Sequence, residues 1–313
     1  MTEKDNDTYE VVVVGGGAAG LSAALILGRA RRRTLVVDAG EPRNAPAAHM
    51  QGYLTRDGMS PAAFLAKGRE EIARYGVELV RDRALDVTRD GDFAVALAGG
   101  RTVRARRLVI ATGLRDELPD VTGLAARFGR DVLHCPYCHG WEVRDQAFGV
   151  LATTPMSVHQ ALMVSQWSKD VTFFLHRLAE EELSDEDLRR LAAAGVAVVP
   201  GEVFELVLAD DRLTGVRLAG GAVHGCEALF VAPRAVPRTG LLRRLGAELR
   251  ETPFGAYPVV DETGLTTVSG VWSAGNVMGF AEQVVNAAAG GYRAAATING
   301  DLLMADLDAA VGV

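Results

Sequence analysis

Cysteine and lysine are both scarce in this chain. Its 313 residues include three cysteines, too few for a disulfide-stapled secreted scaffold. Lys4, Lys67 and Lys169 are the only lysines among 33 basic residues, and 40 acidic residues bring the formal net charge to −7. That balance argues against a general affinity for nucleic acid or anionic membranes. Charged residues make up 23% and hydrophobic residues 49%, a mixture that excludes a disordered chain. At about 150 residues per domain, the length predicts two domains.

Charge is also missing from Val11 to Gly28, and Arg29, Arg31, Arg32 and Arg33 follow that run like a stop-transfer signal. The preceding residues, Met1 to Glu10, are net acidic, whereas a signal peptide begins with positive charge. The run contains Gly15, Gly16, Gly17 and Gly20 and changes from β-branched to Ala/Leu-rich halfway. It reads as strand, turn and helix, not as a membrane span. A cytoplasmic location is expected.

Val11 to Val14 is the continuous apolar run of a parallel strand buried on both faces. A helix is predicted over Ala18–Ala30 and a second strand over Leu35–Val37, a β-α-β unit in about 30 residues. Glu78–Arg83, Phe93–Leu97 and Thr102–Arg107 read as an antiparallel meander with turns at Asp90-Gly91 and Gly99-Gly100. Leu108–Ile110 then returns to a buried strand. The layout recurs from Gln146: strand Phe148–Leu151, helix Ser157–Ser168, strand Val171–Leu175. Ser184-Asp185-Glu186-Asp187 predicts a capped helix that stops at Gly195. Strands Val196–Val199, Val203–Leu208 and Leu213–Leu218 follow, and an Ala-rich helix spans Gln283–Asn299. The class is α/β, with two Rossmann-like, three-layer nucleotide-binding domains, the second inserted in the first. Expected boundaries are 1–116 with 246–313 for one domain and 117–245 for the other.

Gly15-Gly16-Gly17-Ala18-Ala19-Gly20 fits the G-x-G-x-x-G fingerprint. Its first glycine permits a tight turn, the next lets backbone N–H groups approach a pyrophosphate, and the last lets helix pack on strand. Asp38 ends the following strand, where a carboxylate accepts ribose hydroxyls and repels a 2′-phosphate. Ala39 and Gly40 continue that corner. FAD or NAD is favoured over NADP.

Cys135-Pro136-Tyr137-Cys138 has the spacing of a two-electron redox couple. His139 has a reference pKa near 6.5 and is placed to take a thiol proton at working pH. Other chemistries use the same letters. A zinc site could join Cys135 and Cys138 to His224 and Cys226, a poor second half-site. C-x-x-C-H also marks haem attachment, which would require export. Cys-Pro-Tyr-Cys occurs in glutaredoxins, small domains without a dinucleotide fingerprint. Cys226 alone reads as an inert buried thiol.

Gly15–Gly20 with Asp38, Ala111-Thr112-Gly113, the central cysteine pair, and Gly275-Asn276 with Gln283-Val284 occur in fixed order. Together they resemble the low-molecular-weight thioredoxin reductase family of flavoproteins over essentially the whole chain. The resemblance implies FAD on the first domain, the redox disulfide on a second, pyridine-nucleotide-type domain, and a homodimer. It also implies that Cys138 faces the flavin, that Cys135 meets the substrate, and that Arg43 and His49 line the FAD site. Two departures bear on function. The second domain's turn, Ala152-Thr153-Thr154-Pro155-Met156-Ser157, has no glycine, and its 2′-phosphate cluster is reduced to His176-Arg177 with Leu178 following. Side chains obstruct a pyrophosphate there and Pro155 removes a donor N–H, which makes NADPH binding doubtful.

The second departure is His139, where thioredoxin reductases carry an acidic residue. The string His134-Cys135-Pro136-Tyr137-Cys138-His139-Gly140-Trp141-Glu142 is similar to the FAD-dependent dithiol oxidases of the gliotoxin and holomycin type. Asn276, in place of the usual Asp, fits the same group. These enzymes close a disulfide in a small sulfur-containing natural product, pass the electrons to O2 to give H2O2, and serve in biosynthesis and antibiotic self-resistance. The expected partner is therefore a small-molecule dithiol, with no nucleic acid, membrane or metal. An NADPH-dependent thioredoxin-disulfide reductase and a non-catalytic flavin-bound redox sensor are the alternatives.

Overall fold

The computed structural model describes residues 7–312; most of the acidic lead weighed against a leader peptide, residues 1–6, lies outside them. The described residues form two compact units, one of residues 7–45, 60–115 and 235–312, the other of residues 46–59 and 116–234.

In the first unit, strand β1 (Thr8–Val14), helix α1 (Ala18–Arg29) and strand β2 (Thr34–Val37) are followed by helix α2 (Pro61–Ala73) and strands β3 (Glu78–Val80), β4 (Ala84–Asp90), β5 (Asp92–Leu97) and β6 (Thr102–Ile110). The sheet order is β3-β2-β1-β6-β5-β4, with strand Val271–Ser273 also paired to β6. The core explains the uninterrupted apolar run in β1. Val11 and Val13 pack with Leu21, Ala24 and Leu27 of α1 and with Ala294 and Ile298 of helix Val284–Val311. Val12 and Val14 pack on the other side with Phe93, Val95 and Leu242. Both faces are dry, so neither phase of the strand is free to be polar.

Three readings of this unit need correcting. Glu78–Val80 is not part of the meander; it pairs parallel to β2, and the antiparallel ribbon is β4-β5-β6. Thr102–Arg107 and Leu108–Ile110 form one strand, whose first half pairs with β5 and whose end pairs with Val271–Ser273. The C-terminal helix runs through Asn299-Gly300 to Val311. A helix-stopping pair is overridden there because Arg32 Nε donates to Asn299 Oδ1 at 2.9 Å and Leu302 is fully buried.

In the second unit the parallel sheet has the order 197–199, 171–174, 148–151, 228–231, 132–133. Helices Ser157–Val164 and Asp185–Ala193 supply one core with Phe148, Val150 and Phe173. On the other side, Leu151, Phe174 and Val231 pack with Val203, Leu213 and Val216 of an antiparallel sheet made by 203–209, 212–218 and 223–225. The result is three layers, as expected for this class. Ser184 caps its helix through the Asp187 N–H, in a full capping box.

The division of the chain differs from the expected boundaries in two places. The second crossing comes before Ala235 and not after 245, because Leu241 and Leu242 of helix Gly240–Arg244 are buried in the first unit's core. Residues 46–59 leave the first unit and group with the second. Pro46 lies where a Cβ on Gly129 would meet it at 2.8 Å, and Gln51 Nε2 donates to Glu142 Oε1 at 3.0 Å. Among the described residues no helix is long and apolar enough to cross a membrane.

Candidate active site

The glycine turn of the first unit is built as its sequence requires. Gly15 adopts φ +112°, and a Cβ there would lie 2.2 Å from the Ala111 carbonyl oxygen. A Cβ on Gly20 would come within 1.8 Å of the Gly15 oxygen, so this glycine sets how closely α1 approaches the strand. Gly17 differs from both. Nothing lies within 4 Å of a Cβ built on it, and it caps α1 with extended backbone and no side-chain cap. The space beside Gly17 at the start of the helix is therefore clear, which fits a diphosphate.

Asp38 is fixed in place by its neighbours. Its Oδ1 accepts from the N–H groups of Gly16 at 3.1 Å and Gly40 at 3.2 Å, and its Oδ2 pairs with Arg81 Nη1 at 2.6 Å. Ala39 and Gly40 thus turn the chain around the carboxylate, and Arg81, absent from the sequence reading, joins it from just beyond β3. Arg43 Nη1 donates to the Phe280 carbonyl at 3.1 Å. Thr112 Oγ1 donates to the Arg238 carbonyl at 2.8 Å, and Gly113 turns at φ +68°. Gly275 turns at φ +76°. Asn276 Nδ2 donates to the carbonyls of Gly279 and Phe280. Gln283 and Val284 begin the C-terminal helix, again with no side-chain cap. Ala18 and Ala19 open α1, and Ala19 is packed tightly enough that a Cβ on Gly291 would meet its carbonyl oxygen at 2.0 Å. The expected cofactor residues of this unit therefore cluster at strand ends and helix starts. His49 is exposed and falls within residues 46–59, which group with the second unit.

In the second unit Cys135 and Cys138 are joined as a disulfide, with their Cα atoms 5.2 Å apart. Cys135 is the N-cap and Pro136 the first residue of a one-turn helix, Pro136–His139. Proline fits that position because its missing N–H would have no helical partner there. Gly140 closes the turn, its N–H donating to the Pro136 carbonyl at 2.6 Å. No side chain fits there, since a Cβ would meet Trp167 at 2.9 Å. His139 is half-buried, and burial pushes its imidazole below the usual histidine pKa, with Glu142 pulling the other way. The neutral ring therefore dominates at neutral pH, the form that accepts a proton. Cys226 is buried in the core and its thiol is pushed up to about 12 by desolvation, so it is inert as read. Among the described residues no three metal-binding side chains cluster.

The turn after strand Phe148–Leu151 contrasts with the first. Ser157 Oγ accepts from the N–H groups of Thr153 at 3.0 Å and Thr154 at 3.4 Å, while Thr153 Oγ1 donates to the Ala232 carbonyl at 3.1 Å. The donors that would receive an anion are occupied by the chain itself. His176, at φ +57°, is buried with Nδ1 accepting the Val203 N–H at 3.1 Å, and burial together with Arg177 holds its pKa down. Arg177 Nε pairs with Glu202 at 2.7 Å. The sequence reading identified the missing glycine but not the Ser157 cap, whose only signal was a serine four residues after Thr153.

The chain belongs to the pyridine nucleotide-disulphide oxidoreductase family, whose model matches residues 9–291. This is a family of flavin-dependent enzymes acting on thiols and disulfides. Its relatives include the thioredoxin reductase sirT of Leptosphaeria maculans, 32% identical over 96% of each chain. Another is the thioredoxin reductase tcpT of Claviceps purpurea, 31% identical over 97% of each. Among solved structures, that of HlmI superposes with a TM-score of 0.94 at 49% identity, covering 99% of this chain and 97% of HlmI. An oxidoreductase from Agrobacterium tumefaciens gives 0.89 at 38%, covering 95% and 99%. The chain is thus a thioredoxin reductase-like disulfide oxidoreductase.

Proposed function

We propose that this protein is an FAD-dependent dithiol oxidase that closes an intramolecular disulfide in a small sulfur-containing natural product, with O2 as acceptor and H2O2 as by-product. The observation that carries this reading is the self-capped turn at Thr153–Ser157, which leaves the second unit without a free cradle for a pyridine nucleotide diphosphate. Electrons would then enter through Cys135 and Cys138. The wider likeness to gliotoxin- and holomycin-type oxidases, drawn from the string His134–Glu142, points the same way.

In this scheme neutral His139 takes the proton of a substrate thiol, and the resulting thiolate attacks the Cys135 sulfur. The protein S–S bond breaks and Cys138 leaves as thiolate. The second substrate thiol, deprotonated in turn, attacks the mixed disulfide and releases Cys135. The substrate has lost two electrons and two protons and gained an S–S bond; the protein holds the reduced pair. Both exchanges gain from being effectively intramolecular. FAD, when bound, supplies the acceptor for the electron pair as the protein disulfide re-forms, and passes it to O2. Gly15, Gly16, Gly17, Ala18, Ala19 and Gly20 would hold its diphosphate, with Asp38 at the ribose. Ala39, Gly40, Arg43, Ala111, Thr112, Gly113, Gly275, Asn276, Gln283 and Val284 would complete the site. His49, which the resemblance also assigns to the FAD site, would reach it from the segment 46–59. The working form would be a homodimer.

Stopped-flow mixing under anaerobic conditions tests the reading. Small dithiols should bleach the flavin while NADPH leaves it yellow; rapid bleaching by NADPH instead would restore the reductase alternative. Aerobic turnover should release one H2O2 per disulfide formed, and its absence with every dithiol would favour a sensor.

A further inference from the structure

Helix Ser157–Val164 does more than close the turn before it. One turn in, Gln160 is only 9% exposed and donates from Nε2 to the His134 carbonyl at 2.7 Å. That carbonyl belongs to the peptide entering Cys135. The amide cannot be reversed, because its oxygen would then face another acceptor. Its Oε1 is buried with no hydrogen-bond partner among the described residues, a condition native proteins avoid.

An acceptor unpaired in one state of a cycle needs a donor that exists in another. The resting segment carries Cys135–Cys138 as a disulfide, which has no proton to give. Reduction breaks the S–S bond, adds two electrons and two protons, and creates two S–H donors on the segment that Gln160 holds. We propose that Gln160 is a positioning residue of the redox pair, holding the backbone into Cys135 and stabilising the dithiol form over the disulfide by pairing its amide oxygen only after reduction. The proposal rests on the functional reading above only in taking Cys135 and Cys138 as the pair that cycles.

The test equilibrates holoenzyme anaerobically with dithiothreitol buffers. The reductant's two thiols become its cyclic disulfide as the protein pair gains both electrons and both protons. Acid quenching, alkylation and mass measurement then count reduced Cys135 and Cys138, independently of oxygen or natural substrate. Gln160→Met, close in volume but without either polar group, should shift the equilibrium toward the disulfide about fivefold. An equilibrium constant within twofold of wild type overturns the proposal. In case Q160M folds poorly, the wild-type protein labelled in glutamine side chains gives a second measurement. The Gln160 carbonyl carbon resonance should move on reduction, and an unmoved resonance also overturns it. Failure here leaves dithiol-driven flavin bleaching intact, whereas failure of the functional reading abolishes bleaching without altering the thiol count.

Discussion

Two strand–turn–helix corners in this molecule share a wiring plan and differ in what their turns can hold. After β1, Gly17 brings no side chain to the helix start and has clear space beside it, and Asp38 is locked by two backbone N–H groups and Arg81. After strand Phe148–Leu151, Ser157 turns back and takes the N–H groups of Thr153 and Thr154 for itself. The layout alone therefore does not specify a ligand. Backbone donors near a helix start bind an anion only when no side chain of the chain has already satisfied them. The second unit instead carries the Cys135–Cys138 disulfide at a one-turn helix that Cys135 caps and His139 ends.

The contrast is broken most severely at the cysteines. Cys138→Ser should slow dithiol-driven flavin bleaching about a thousandfold or more, read by anaerobic stopped flow; bleaching at the normal rate would remove Cys138 from the exchange. His139→Ala comes next, with a loss of roughly a hundredfold near neutral pH. The sign of the pH dependence follows from its lowered pKa. In wild type the imidazole is neutral at pH 7 and loses its capacity as base only as pH falls through a value below 6.5. The rate should therefore be flat near neutrality and drop in acid, whereas the variant should keep rising toward the thiol pKa of about 8.5. Identical profiles would exclude the histidine.

The open corner is tested at Gly17. Its backbone suits any residue, so Gly17→Val should fold normally and lose FAD affinity by about 10- to 100-fold as N–H donors go unpaired, measured by flavin content and titration. The same change at Gly20 should prevent folding, since its Cβ would strike the Gly15 oxygen at 1.8 Å. Ser157→Ala gives the smallest effect, a stability loss of about 1 kcal/mol seen by thermal unfolding. It should not confer bleaching by NADPH, because Thr153, Thr154 and Pro155 still fill the turn.

How much of this was legible in the sequence depends on distance along the chain. The apolar runs at 11–14 and 148–151, the glycine spacing and the Ser184 cap are local patterns, and each maps to the element it predicts. Strand 228–231 escaped, although it lies inside the second unit's sheet between 148–151 and 132–133, because nothing local reports a strand's neighbours. Arg81 escaped because it meets Asp38 only after β3 adds to the sheet edge. The disulfide pair was legible from four letters. Gln160 was not, since a glutamine in an apolar helix carries no pattern until its partner at His134 is seen.

The strap at residues 46–59 has a genetic consequence. Glu142, four residues after Cys138, takes an amide hydrogen bond from Gln51, and Gly129 accommodates Pro46. No uninterrupted stretch of codons therefore encodes the thiol-bearing unit by itself, because residues 60–115 of the first unit lie between its two parts. A cassette spanning 116–234 alone, shuffled into another protein or expressed by itself, would arrive with that strap missing and a carboxylate beside His139 deprived of its donor.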